Sequence, residues 1–169
     1  MTTSWLKVST PAIEGDTKPP WILRNLGPDK GLAAFATRRF EKGDEILSEK
    51  PTVWVQGHHP FDEAQVAEIE RKVADLDQDD RDAFYQMANV FPEAPTVATG
   101  IFMTNCFDMT NAEHGESCAM YLAIARLNHS CTPNAQQTHI PDTGEEVLYA
   151  SRTIETVSYT HLTLPTSPK

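Results

Sequence analysis

Arg126-Leu127-Asn128-His129-Ser130-Cys131-Thr132-Pro133-Asn134 is the stretch on which the reading of this chain turns. Polar groups packed this densely are rarely a generic core segment. The Asn and His side chains bring fixed hydrogen-bond donors and acceptors. A plainer reading makes His129 a satisfied core histidine and Asn134 a turn residue. Just downstream, Ala135–Ile140 and Glu146–Ala150 read as two strands around the turn Pro141-Asp142-Thr143-Gly144.

Upstream, a second stretch combines turn and strand signals: Lys30-Gly31-Leu32-Ala33-Ala34-Phe35-Ala36-Thr37, followed by Lys42-Gly43-Asp44-Glu45-Ile46. Trp21–Leu26 has strand-forming residues and leads into the turn Gly27-Pro28-Asp29-Lys30-Gly31. Ile46-Leu47 and Thr52–Val55 flank Pro51 and read as a further short strand pair. The first third is therefore β-rich, after a loose lead-in over 1–20. An ordinary hairpin would satisfy the Gly31 turn as well.

The middle is helical. Val66, Ile69, Val73 and Leu76 step by three and four, which puts them on one helix face. Asp62 with Gln65 three residues later forms a capping-box pattern. A second helix is expected from about Asp79 or Asp80, with Phe84, Met87 and Phe91 on one face and Pro92 stopping it. The acidic run Asp75–Asp82 reads as the solvated join between the two helices.

Taken together, the two motifs resemble the SET-domain family. Lys30–Thr37 with the Lys42–Ile46 turn is similar to its opening, roughly G-x-G-x-F-A-T then K-G-[DE]-x-[IL], although Ala33 replaces the usual second glycine. Arg126–Asn134 is similar to its signature [RN]-[FIL]-N-H-S-C-x-P-N. The resemblance implies an α+β fold: small twisted β-sheets, a helical insertion at about 61–92, and a threaded C-terminal segment. It also implies a protein-lysine N-methyltransferase that uses S-adenosylmethionine as cofactor. Carried over residue by residue, Lys30, Gly31, Leu32 and Ala33 hold the cofactor's methionine end, and Asn128 and His129 bind it further. Asn134 helps fix the local turn. Thr104-Asn105-Cys106-Phe107 resembles a segment that adds another cofactor-contacting Asn, here Asn105; a capping or turn Asn fits equally. A non-catalytic SET-like interaction module is the alternative function.

The acidic composition serves solubility in the plainer reading and is compatible with basic partners in the other. The 14 Lys and Arg against 24 Asp and Glu leave a net charge of −10. Such a surface disfavours direct binding to nucleic-acid phosphates and suits basic partners, protein or peptide lysine substrates with histones as one candidate. No apolar run reaches the roughly 20 residues of a membrane span. The first seven residues lack the pattern of a secretory signal, so an intracellular protein, nuclear or cytoplasmic, is expected. Cys106, Cys118 and Cys131 form no C-x-x-C pair, and His58-His59 has no partner at metal-ligand spacing. In many family members the residue at Cys131 joins three later cysteines around zinc; none follow here, and no metal is expected.

The end of the chain departs from the family. After Arg152-Thr153-Ile154 the pattern would continue with a G-E-E turn and a strand ending in the catalytic Tyr. Instead, Val157–Thr166 resembles the translation of a transposase adaptor used in sequencing libraries, so 21–155 is read as a truncated SET domain and 156–169 as a non-native tail. The threaded segment is then incomplete, and the catalytic residue is unknown. Tyr159 is a lookalike, because Ser158-Tyr159 imitates the family's terminal S-Y. Gly144-Glu145-Glu146 imitates the G-E-E turn and makes Tyr149 a rival, but it follows Asn134 too soon for the intervening hairpin.

Overall fold

Alternation and turn chemistry give ten short strands among the described residues, with three helices between β4 and β5. The computed structural model describes residues 19–25, 27, 32–58, 61–111, 115–156 and 162–165. In chain order its elements are β1 (Trp21–Asn25), β2 (Leu32–Ala36), β3 (Glu45–Glu49), β4 (Val53–Gln56), α1 (Glu63–Ala74), α2 (Gln78–Tyr85), α3 (Val97–Asn105), β5 (Phe107–Asn111), β6 (Gly115–Met120), β7 (Asn128–Ser130), β8 (Ala135–Ile140), β9 (Glu145–Ala150) and β10 (Thr163–Pro165). The fold is α+β, as expected.

The chain divides into two compact units, one of residues 1–49, 126–138 and 146–169, the other of 50–125 and 139–145. In the first unit β1 and β2 form an antiparallel hairpin with unbroken register from Trp21↔Ala36 to Asn25↔Leu32. The sheet β3-β9-β8 follows, with an irregularity between Glu45 and Leu47. Gly43 enters β3 at φ +93°, a left-handed conformation that only glycine adopts freely. Phe40 and Ile154, both buried, exchange backbone hydrogen bonds of 2.9 and 2.8 Å and close the unit's core. The strands around Pro51 do not pair with each other: β3 pairs with β9, and β4 with β6.

One part of the tail behaves differently from the expectation that it could not complete the fold. Thr163–Pro165 forms β10 and pairs in parallel with β7, Thr163 opposite Asn128 and Leu164 opposite His129. The reason lies in Leu162-Thr163-Leu164: two apolar residues around a polar one put both leucines on one face of a strand. Leu162 is 0 % and Leu164 2 % exposed. The Leu162 N–H donates to the Ala34 carbonyl at 2.8 Å.

In the second unit the capping box forms: Asp62 Oδ1 accepts from the Gln65 N–H at 2.8 Å, and Gln65 Oε1 accepts from the Asp62 N–H at 2.9 Å. The helix it starts, α1, buries Ile69 and Val73 from the apolar stripe. Helix α2 begins earlier than expected, because Asp77 caps it by accepting from the Asp80 N–H. It also ends earlier, at Tyr85, so Met87 and Phe91 lie beyond it rather than on its face. The apolar helix α3 has no amphipathic period and was not foreseen; Thr96 caps it through the Thr99 N–H. Beside the helices stands the antiparallel sheet β4-β6-β5. Among the described residues, no helix is long and apolar enough to cross a membrane.

Candidate functional site

The signature stretch becomes a buried 3-10 turn, a three-residue strand and a bend. The turn Ile124–Arg126 ends on Arg126, a buried residue whose guanidinium feels the buried Glu49 carboxylate of the same unit. Burial lowers the Arg126 pKa from its ordinary value, and the Glu49 charge opposes that shift. Asn128 and His129 then follow one another in β7. Consecutive strand residues face opposite sides, and the burial agrees: Asn128 is half-buried while His129 is exposed. Their side chains therefore cannot both address one ligand from the same face.

Asn134 does more than shape the turn. Its Oδ1 accepts from the Thr163 N–H at 2.9 Å and faces Thr163 Oγ1 at 3.4 Å, while its backbone carbonyl accepts from Ser151 N–H at 2.9 Å. The buried amide thus ties β10 to the end of the signature, just where β10 flanks β7. Through Leu162 and Ala34 the same segment reaches β2. In this way the structure brings into one unit the elements that carry Leu32, Ala33, Asn128 and His129.

Of the opening turn, Lys30 and Gly31 lie outside the described residues. Leu32 pairs with Asn25 and Ala33 with Arg24 in the β1–β2 hairpin, and Ala33 is fully buried. Asn105 belongs to the second unit. Its Nδ2 donates to the Ala88 carbonyl at 2.8 Å and to the Ile101 carbonyl at 2.7 Å, so one amide hydrogen serves α3 and the other ties it to the segment after α2. Tyr159 lies outside the described residues. Tyr149 sits in β9 opposite Glu45, within the hairpin whose turn is Pro141–Gly144.

A second polar cluster was invisible in the spacing of the sequence. Cys118 lies in the central strand β6, with Val55 of β4 on one side and Asp108 of β5 on the other. Gly57, at φ +87°, turns the chain after β4 and delivers His58 to the same place. His58 Nδ1 is 3.2 Å from Asp108 Oδ1 and 3.8 Å from Cys118 Sγ, and Cys118 Sγ is 3.6 Å from Asp108 Oδ1. Hydrogen bonds from Cys106 and then His58 lower the Cys118 thiol to about 7 against the opposing effect of burial. The Cys106 thiol is pushed up by its hydrogen bond to Cys118 and by burial. His58 is raised by its hydrogen bonds to Cys118 and Asp108. Only sheet register joins residues 50 and 10 positions apart, so motif spacing offered no sign of it.

The small sheets, the insertion helices and the β7 signature define a SET-type domain, and a family model of the SET domain matches residues 31–157. The chain belongs to the SET-domain family. A relative is histone-lysine N-methyltransferase set5 of Schizosaccharomyces pombe, 26% identical over 128 residues, which cover 76% of this chain and 37% of that protein. The chain thus spans little more than a third of that relative's length. A solved structure of a Plasmodium falciparum candidate histone methyltransferase shares 13% identity at a TM-score of 0.47, over 90% of this chain and 96% of that one.

Proposed function

We propose that this chain is the SET domain of a protein-lysine N-methyltransferase that uses S-adenosylmethionine, acting on a protein lysine, with histones as the first substrates to test. The observation that supports it most is the signature Asn128-His129-Ser130, set as a strand that pairs with β10, just before which Leu162 bonds Ala34 of β2. The residues fit the cofactor. Asn128 is half-buried, and among the described residues no side-chain hydrogen bond occupies its amide. It can offer a donor and an acceptor to one polar ligand. Asn128 and the backbone of β7 would hold the cofactor, with Leu32 and Ala33 at the β2 side. The acidic balance of the chain suits both the cofactor's cationic centre and a basic substrate.

When bound, S-adenosylmethionine supplies a methyl group activated by its positive sulfonium. A protonated lysine has no lone pair, so the protein must hold it neutral; desolvation in a narrow channel lowers its pKa. Holding the amine in line then supplies much of the rate through orientation.

The segment 156–169 is, on our reading, foreign to the protein. Leu162 and the β10 residue Leu164 pack this end of the segment, but β10 brings no residue that matches the family's catalytic Tyr. The 169-residue chain is therefore expected to bind cofactor without transferring methyl. The test is transfer of a labelled methyl group to histones and to a cell lysate, by this chain and by a longer form carrying the G-E-E-x-x-x-x-Y continuation. Labelling by the longer form alone is expected. Strong labelling by the short chain would show the tail to be functional, and no labelling by either would favour an interaction module.

A further inference from the structure

We propose that His58, Asp108 and Cys118 form a zinc site in the second unit, with Nδ1, a carboxylate oxygen and a sulfur as its three protein ligands. Tetrahedral zinc with bonds of about 2.0–2.3 Å sets its ligand atoms roughly 3.3–3.6 Å apart. The three atoms here form a triangle with edges of 3.2, 3.6 and 3.8 Å, so they already outline one face of that tetrahedron. A nitrogen, an oxygen and a sulfur together make a borderline donor set that suits zinc better than calcium or magnesium, which take oxygen. One carboxylate and one thiolate also balance the charge of a divalent ion.

The surroundings match a metal-ligating histidine. Such a ring usually donates its other N–H to a carboxylate, which fixes the tautomer and the ring orientation. His58 Nε2 lies 3.5 Å from Glu116 Oε2, leaving Nδ1 to point at Cys118 and Asp108. Cys118 is fully buried beneath the two exposed ligands, and the Cys106 thiol hydrogen-bonds to its sulfur. The fourth corner falls to solvent, on the side where His58 and Asp108 are exposed. This site is independent of the methyl-transfer reading, and it departs from the sequence expectation of no metal.

The test titrates the metal-free chain with zinc by calorimetry and with cobalt(II) by absorbance. Expected are one equivalent of zinc per chain and a cobalt spectrum with thiolate charge-transfer intensity. Cys118→Ser should abolish that intensity, while His58→Ala and Asp108→Asn should weaken binding at least about tenfold. Glu116→Gln should weaken it about 10- to 100-fold yet keep the thiolate band. Cys131→Ser should change nothing. His58 and Asp108 are exposed, so their variants decide the question even if Cys118→Ser fails to fold. Substoichiometric binding, a cobalt spectrum without thiolate character, or a band that survives Cys118→Ser and vanishes in Cys131→Ser would overturn the site.

Discussion

The two polar clusters are held in opposite ways. Asn128 and His129 are neighbours in a three-residue strand, facing opposite sides, and that strand is steadied by a distant segment through Asn134 and Leu162. His58, Asp108 and Cys118 come from three separate places, yet their atoms converge within hydrogen-bonding reach on a regular antiparallel sheet. The first arrangement leaves an amide free of described side-chain partners, as a ligand site needs. The second satisfies its own groups and aims them at one point, as a metal site needs. Contiguity in sequence and convergence in space are thus separate properties.

The strongest way to break this contrast is to remove the support under the first cluster. Leu162→Ala should destabilise the chain by about 2–5 kcal/mol, the usual range for a buried leucine. Urea unfolding that shows a cost of only a few tenths would mean the tail does not pack beside β7. Asn134→Ala should follow with about 1–3 kcal/mol, since it strips the Thr163 N–H of its buried acceptor. Equal midpoints for parent and variant would detach β10 from the signature.

The second unit sharpens the comparison with smaller effects. Asp62→Ala removes the capping box and should cost about 0.5–2 kcal/mol, measured by the same unfolding experiment. In the metal-free chain, the ultraviolet absorbance of the Cys118 thiolate should grow as pH rises through about 7. Because the folded value lies below the ordinary value of about 8.5, any stability from this thiolate is full above the ordinary value. It is lost as pH falls through about 7. Cys106→Ala should move the midpoint upward; an unmoved midpoint would show that the Cys106 hydrogen bond does not hold the thiolate.

What could be read before folding follows the same division. The capping box at Asp62 and Gln65 and the β8–β9 turn are local patterns that took their expected form; of the stripe Val66, Ile69, Val73 and Leu76, α1 buries Ile69 and Val73, while Leu76 lies beyond the helix end. Of the G-E-E imitation, Gly144 ends that turn while Glu145 and Glu146 open β9. Helix α3 is an almost wholly apolar run with no face for periodicity to reveal, and α2 stops well before Pro92 because Gln86 already caps it. In the candidate cofactor site, Asn128 and His129 stood in one motif, but the tether from Asn134 to Thr163 spans 29 residues and depends on β10. The His58 cluster depends wholly on strand register, which local patterns leave open.

Calorimetry with S-adenosylmethionine, comparing the chain with its Asn128→Ala variant, tests the central claim most directly. The account predicts one site per chain and a loss of about 1–3 kcal/mol in the variant, roughly 5- to 150-fold in Kd. Equal affinity in the two proteins, or no binding by the parent chain, would contradict it.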